Sequence, residues 1–251
     1  SSDVCSSDLG IIFGLPRLPR GATNMTRIAD LIHDWNQTGG TFRPARPLQF
    51  DDETLRDGLQ SPAVSDPRLE QKIDLLERMD RLGIHTANLG LPGAGGRPRE
   101  DILKLARHIA DNKLRIGANV ACRTVLSDIE PVVEMTQKAG MAIEVCAFIG
   151  SSYIRQYAED WTLERMLQNT REALSFAQQN NLPVMYVTED TTRARPETIK
   201  ALYTAAIELG ARRLCVCDTV GHATPQGTRA VVKFVREDRK STRLNSSHRL
   251  T

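Results

Sequence analysis

From Pro47 to about Arg236 the chain alternates short extended stretches with amphipathic helical ones, a pair roughly every 30 residues. That beat limits the fold more than anything else in the sequence. An extended stretch begins at Leu48–Phe50, and others come at 84–91, 115–121, 142–149, 183–188 and 212–217. Helical periodicity occupies 68–82, 97–112, 125–139, 161–180, 195–209 and 225–235. In the first helix, Leu69, Ile73, Leu76 and Met79 make the apolar stripe. Gly83, Gly140, Asn181 and Gly210 stand just before strands, where helix C-termini favour such residues. Six strand–helix units predict a parallel sheet with helices packed outside it.

Two architectures accept six units: an open doubly wound sheet, or part of an eight-unit barrel. The dinucleotide-binding sheet should carry a GxGxxG turn after its first strand. Gly90–Arg97, GLPGAGGR, comes after the second strand with the wrong spacing and reads as a loop. After the first strand the chain instead runs through a series of acids ending in Arg56-Asp57. Polar residues recur at later strand ends: Asn88, Glu189 and Thr219. Barrels build active sites at that end of the strands. The expected fold is therefore an α/β TIM (β/α)8 barrel, incomplete, with about six βα units present.

The two ends read differently. Residues 1–9 and the tail from Asp238 carry no apolar period and resemble translated sequencing-adapter read-through, so 1–24 is set aside as an artefact-like or disordered extension and 238–251 as an artefact-like tail. Met25–Asn36 has helical periodicity, and 25–237 is read as the partial catalytic barrel. With 33 Lys+Arg against 31 Asp+Glu the formal charge is +2, which argues against partners that are mainly nucleic acid or membrane surface. Nowhere do about 18 apolar residues run together, as a membrane span needs. Five cysteines without a CxxC pair make neither a disulfide framework nor a structural zinc site, so reduced thiols in the cytoplasm are expected. Cys215 and Cys217 read as inert core thiols, Asp218 as a structural hydrogen-bonding group and His222 as a loop residue.

Asp51–Pro62, DDETLRDGLQSP, is the most specific string. A carboxylate at a strand end suits a hard divalent cation, and the guanidinium beside it is a permanent charge for a developing oxyanion. Glu189 shares the face of Met185 and Val187, and Thr219 alternates in register with Cys215 and Cys217. DDETLRDGLQSP resembles the DxTLRDGxQ signature of the family containing 2-isopropylmalate, homocitrate and citramalate synthases and, more distantly, 3-hydroxy-3-methylglutaryl-CoA lyase. FIGSSYIRQ at 148–156, TEDTTRARPETI at 188–199 and CDTVGHATP at 217–225 resemble further segments of that family, in the right order.

The resemblance implies an acyltransferase that condenses acetyl-CoA, as co-substrate, with a 2-oxo acid such as 2-oxoisovalerate, in the manner of leucine biosynthesis. It also implies a divalent metal (Mn2+, Mg2+ or Zn2+) and a homodimer for the full-length parent. It assigns Asp57 to the metal, Arg56 to the enolate and Glu189 to the catalytic carboxylate. Gln60, Thr219, Asn88 and Cys146 fall on the substrate side. Asn88 replaces a frequent Glu, Cys146 a frequent His and Val187 a frequent Ser, so the oxo acid stays open. The family's HxH strand has no counterpart among His33, His85, His108, His222 and His248. The chain as it stands is therefore expected to be inactive. A lyase running the reverse cleavage and a non-catalytic metabolite-binding barrel are the alternatives.

Overall fold

The computed structural model describes residues 47–245, and side chains as far as Glu237. The helix read at 25–36 lies outside the described residues. Six strands form one sheet: β1 (Asp51–Asp52), β2 (Thr86–Asn88), β3 (Gly117–Arg123), β4 (Ile143–Gly150), β5 (Val184–Glu189) and β6 (Arg213–Val216). Their order is β1-β2-β3-β4-β5-β6, and each neighbouring pair is parallel. Between and after them come α1 (Leu69–Leu82), α2 (Gly96–Asp111), α3 (Leu126–Ala139), α4 (Tyr153–Glu159), α5 (Leu163–Gln179), α6 (Pro196–Glu208) and α7 (Pro225–Asn245).

The strand order decides between the two architectures. Right-handed crossovers that always step the same way put every helix on one face of the sheet. A doubly wound sheet reverses direction at a switch point, and this one never does. The other face must then be the inside of a barrel. Side-chain bonds join alternate strands across that face. Asn119 of β3 reaches across β2 to donate to Asp51 of β1 at 2.7 Å. Arg213 of β6 likewise reaches across β5 to Glu144 of β4, with Nε donating at 3.1 Å. The result is a curled half-barrel.

The convex face makes the core. Val120, Val145, Ala147, Ile149 and Tyr186 are buried against Leu76, Ile102, Leu105, Val132, Met166 and Leu202 of the helices. In α1 the predicted stripe is fully buried at Leu76 and Met79 and partly buried at Leu69 and Ile73. Two tyrosines tie β5 and β6 to the helices. Tyr186 Oη lies 2.7 Å from Thr170 Oγ1, and Tyr203 Oη donates to the Cys215 carbonyl at 2.7 Å and meets Thr188 Oγ1 at 2.7 Å. Gly83 and Gly140 end α1 and α3 in the left-handed region, at φ of 81° and 67°.

Three local readings change. The first strand is Asp51–Asp52, later than Leu48–Phe50, because the first ladder bond is accepted by the Phe50 carbonyl from His85 and Thr86. The leading acids therefore belong to the strand itself. A separate seven-residue helix, α4, precedes α5; it is capped by Ser152, closed by left-handed Asp160, and succeeded by a new cap at Thr162. The last helix continues past Val235 to Asn245, through a stretch without Gly or Pro. None of the described helices is long and apolar enough to cross a membrane.

Candidate active site

The loops after the C-terminal strand ends surround one mouth. After β1 the chain turns tightly: the Glu53 carbonyl accepts from Arg56 and Gly58 N–H, both at 3.1 Å, and a 3₁₀ turn comes next at Gly58–Gln60. That turn stands Arg56 beside two carboxylates. Its Nε donates to Glu53 at 2.6 Å and its Nη2 lies 2.5 Å from the same carboxylate, while Nη1 lies 3.3 Å from Asp57. A guanidinium has five N–H donors, and these contacts leave two of them for a ligand. Asn88, at the end of β2, donates to the other Glu53 oxygen at 3.2 Å, so Glu53 joins Asn88 to Arg56. Burial holds the Glu53 carboxyl above its ordinary pKa, against the pull of Arg56 and Asn88.

Across the mouth, Glu189 ends β5. Met185, Val187 and Glu189 face the lumen, while Val184, Tyr186 and Thr188 are buried towards the helices. Arg155 Nη2 lies 3.8 Å from Glu189, and Arg155 Nε is buried without a partner. Asp190 then takes the left-handed conformation at φ 58°. Its N–H donates to Thr219 Oγ1 at 2.8 Å, and its carboxylate accepts from Arg193 Nε and Nη2 at 2.8 and 2.7 Å. Those bonds hold Asp190 below the usual carboxylate range. Thr219 Oγ1 is thus an acceptor towards the backbone, which leaves its own proton as a donor. Asp218 accepts from Thr192 Oγ1 and from the His222 and Ala223 N–H groups, the structural part expected of it, with His222 in the loop it ties.

Cys217 is pushed far above the ordinary cysteine value by its hydrogen bond with Cys215, then by burial and by the charge of Cys215. Arg56, Asp57 and Asn88 gather with Glu53 after β1 and β2, and Glu189 and Thr219 flank Asp190 after β5 and β6, all at the C-terminal ends of their strands. Gln60 sits exposed on the rim in the 3₁₀ turn. Cys146 lies lower in the lumen, paired with Met185, whereas the β4 residue level with Glu189 is Gly150. It is 3% exposed, and burial raises its pKa well up.

Cys215 and Cys217 depart from the sequence reading. They are half-buried rather than core thiols and face the lumen with their Sγ atoms 3.7 Å apart. Cys215 lies in β6 and Cys217 just after it, at the edge of the described sheet. The glycine loop after β2 has a structural reason: any side chain on Gly93 would run into the Asp128 carboxylate, which is itself bound by Arg123. The sequence reading missed the lumen's polar set, Asp51, Glu53, Asn119, Glu144 and Arg213. Polar residues at alternate positions of otherwise apolar strands were the available signal for three of them.

A metal fits poorly. Among the described residues no three His, Cys, Asp or Glu side chains gather as a metal-holding group. Asp57 is 65% exposed at its side chain and faces Arg56. One exposed carboxylate is an incomplete donor set for a divalent cation.

The chain matches the family described as HMGL-like over residues 47–248. The homocitrate synthase AksA of Methanocaldococcus jannaschii is 31% identical over 195 residues, which is 77% of this chain and 46% of that protein. The 2-isopropylmalate synthase of Lactococcus lactis is 28% identical over 199 residues, 79% of this chain and 38% of that protein. The chain thus spans less than half the length of these relatives. Among solved structures, the HMG-CoA lyase of Bacillus subtilis superposes with a TM-score of 0.60 at 19% identity, over 75% of this chain and 64% of that one. That of Brucella melitensis gives 0.59 at 17% identity, over 77% and 69%. At such identities the likeness is one of fold, a TIM barrel.

Proposed function

The chain belongs to the HMGL-like family, and from that premise we propose that the whole protein is an acyl-CoA:2-oxo-acid condensing enzyme. It would join acetyl-CoA to a 2-oxo acid of the 2-oxoisovalerate kind, as in leucine biosynthesis, in the cytoplasm. The observation that supports this most is the Arg56 guanidinium, fixed by Glu53 and Asp57 at the mouth with two N–H groups left over. A fixed cation of that geometry stabilises the enolate oxygen that forms when a thioester methyl group loses a proton. It does so without ever giving up its own charge. Glu189 stands opposite as the carboxylate available to take or return a proton. The Thr219 proton, free because Asp190 N–H occupies its oxygen, is placed to bind the carboxylate of the oxo acid. The names of the relatives AksA and 2-isopropylmalate synthase support the same reaction class.

The test is release of coenzyme A thiol from acetyl-CoA in the presence of a panel of 2-oxo acids. It is run on this chain and on a longer form that closes the barrel. This chain spans less than half the length of its relatives and is expected to show no turnover. The longer form should release thiol with a branched or dicarboxylic 2-oxo acid, and Arg56→Ala should lower its rate by about 10²-fold or more. Silence of the longer form across the panel would refute the condensing reaction. Cleavage of 3-hydroxy-3-methylglutaryl-CoA in its place would move the assignment to a lyase.

A further inference from the structure

We infer that Cys215 and Cys217 form a vicinal dithiol in the barrel lumen that a hydroperoxide oxidises to an intrachain disulfide. Their Sγ atoms are already 3.7 Å apart on one face, and bonding asks for an approach of about 1.7 Å. Residues i and i+2 of an extended segment have Cα atoms about 6.6 Å apart, near the upper end of what a disulfide spans. The backbone around them is pinned. Cys217 N–H donates to Thr191 Oγ1 at 3.0 Å, its carbonyl accepts from Thr191 N–H at 3.0 Å, and the Cys215 carbonyl accepts from Tyr203 Oη at 2.7 Å. Rotation of the two side chains is the motion that remains.

The two thiols share a hydrogen bond, so either can ionise first with the other beside it as the resolving thiol. Once ionised, Cys215 attacks one peroxide oxygen and the O–O bond breaks. The departing alkoxide, or hydroxide from hydrogen peroxide, takes the proton of Cys217. Cys215 is then a sulfenic acid and Cys217 a thiolate. Cys217 attacks Sγ of Cys215, the S–O bond breaks, and hydroxide leaves to become water with the proton that Cys215 first released. Two thiols lose two electrons and two protons, and the hydroperoxide is reduced to an alcohol and water. Cys122, behind the sheet, and Cys146 are both buried with raised pKa values and make poor nucleophiles.

The experiment treats the full chain with stoichiometric hydrogen peroxide, blocks free thiols, and maps tryptic peptides by mass. Leu214–Arg229 holds both cysteines and no other. It should lose about 2 Da, escape alkylation, and regain two alkylation sites after dithiothreitol. Cys217→Ser and Cys215→Ser should each stop at a dimedone-reactive sulfenic acid on the cysteine that remains, with no bridge formed. A peptide that stays fully alkylated, or that carries sulfinic acid with no bridge in the wild type, overturns the inference. Should a variant fail to fold, phenylarsine oxide on the wild-type chain decides independently. One equivalent should protect both cysteines of Leu214–Arg229 from alkylation, and no protection overturns the pairing.

Discussion

Replacing Asp190 by Asn removes one charge and leaves the backbone preference intact, because Asn accepts the left-handed conformation that Asp190 holds at φ 58°. Asp190 is 3% exposed, and its carboxylate takes two guanidinium bonds from Arg193 at 2.8 and 2.7 Å. Charge-assisted bonds of this kind contribute about 1.5–3 kcal/mol each at most. The amide of Asn keeps one acceptor but turns its NH2 towards a guanidinium. Arg193 is partly exposed and recovers some hydration, so the expected loss is about 2 kcal/mol, or roughly 4–8 °C in Tm for a domain of this size. Asp190→Ala should cost about 1–2 kcal/mol more, since alanine disfavours that backbone region.

The pH dependence is set by the sign of the shift. Asp190 has its pKa lowered in the fold by Arg193, relative to an ordinary 3.8. Its contribution is therefore full above about pH 5 and is lost as pH falls through 3.8 and the lower folded value. Urea unfolding of wild type and Asp190→Asn at pH 7 and across pH 5 to 3 is the assay. The gap should be near 2 kcal/mol at pH 7 and close progressively in acid. A gap below about 0.5 kcal/mol at pH 7, or one that does not change with pH, would refute the reasoning.

Three further outcomes are expected. Tyr203→Phe removes the hydroxyl shared by Thr188 and the Cys215 carbonyl, and should lower the urea midpoint by the equivalent of about 1–2 kcal/mol with m unchanged. Glu53→Gln should gain stability relative to wild type as pH rises from 4 to 7. A carboxyl whose folded pKa is raised contributes below its ordinary 4.5 and loses that contribution as pH climbs, so a Tm difference that moves the other way would count against burial as the cause. Mn2+ should bind this chain more weakly than about 1 mM by electron paramagnetic resonance titration, and micromolar binding abolished by Asp57→Ala would show that a donor set exists after all.

Much of the fold was readable in the sequence because its signals are local. Asn181 and the glycines before strands take positive φ where a helix must end, and period-two alternation set the face of Glu189 correctly. Where the reading failed, the deciding partner lay far along the chain. Asp51 became a strand residue because Thr86 and Asn119 satisfy its carboxylate. Glu144 and Arg213 are charged residues on a barrel wall, and each is explained by its partner 69 positions away. The cysteine pair was visible as a CxC spacing. Its half-exposed state depends on where the sheet edge lies, which no local pattern reports. Arg56, Asn88 and Glu189 stand at strand ends as the alternation of strand and helix implied, while the bridging part of Glu53 needed coordinates.

Strict succession of strands also sets how this chain can be assembled in time. Thr86 pairs with Gly117, 31 positions on, and Val145 with Val184, 39 positions on. No strand of the described sheet waits for a partner more distant than the next one. Closing a loop of that length costs little more than closing one half as long, about 0.6 kcal/mol per doubling. Each unit can therefore dock on its predecessor as it leaves the ribosome, at a synthesis rate of about 5–20 residues per second. A new unit emerges every few seconds, ample for helix formation and strand docking on microsecond to millisecond scales. The bridges that skip a strand, Asp51 to Asn119 and Glu144 to Arg213, then act as latches, each closing two units after its first member is made and fixing the curvature on which the next strand is laid.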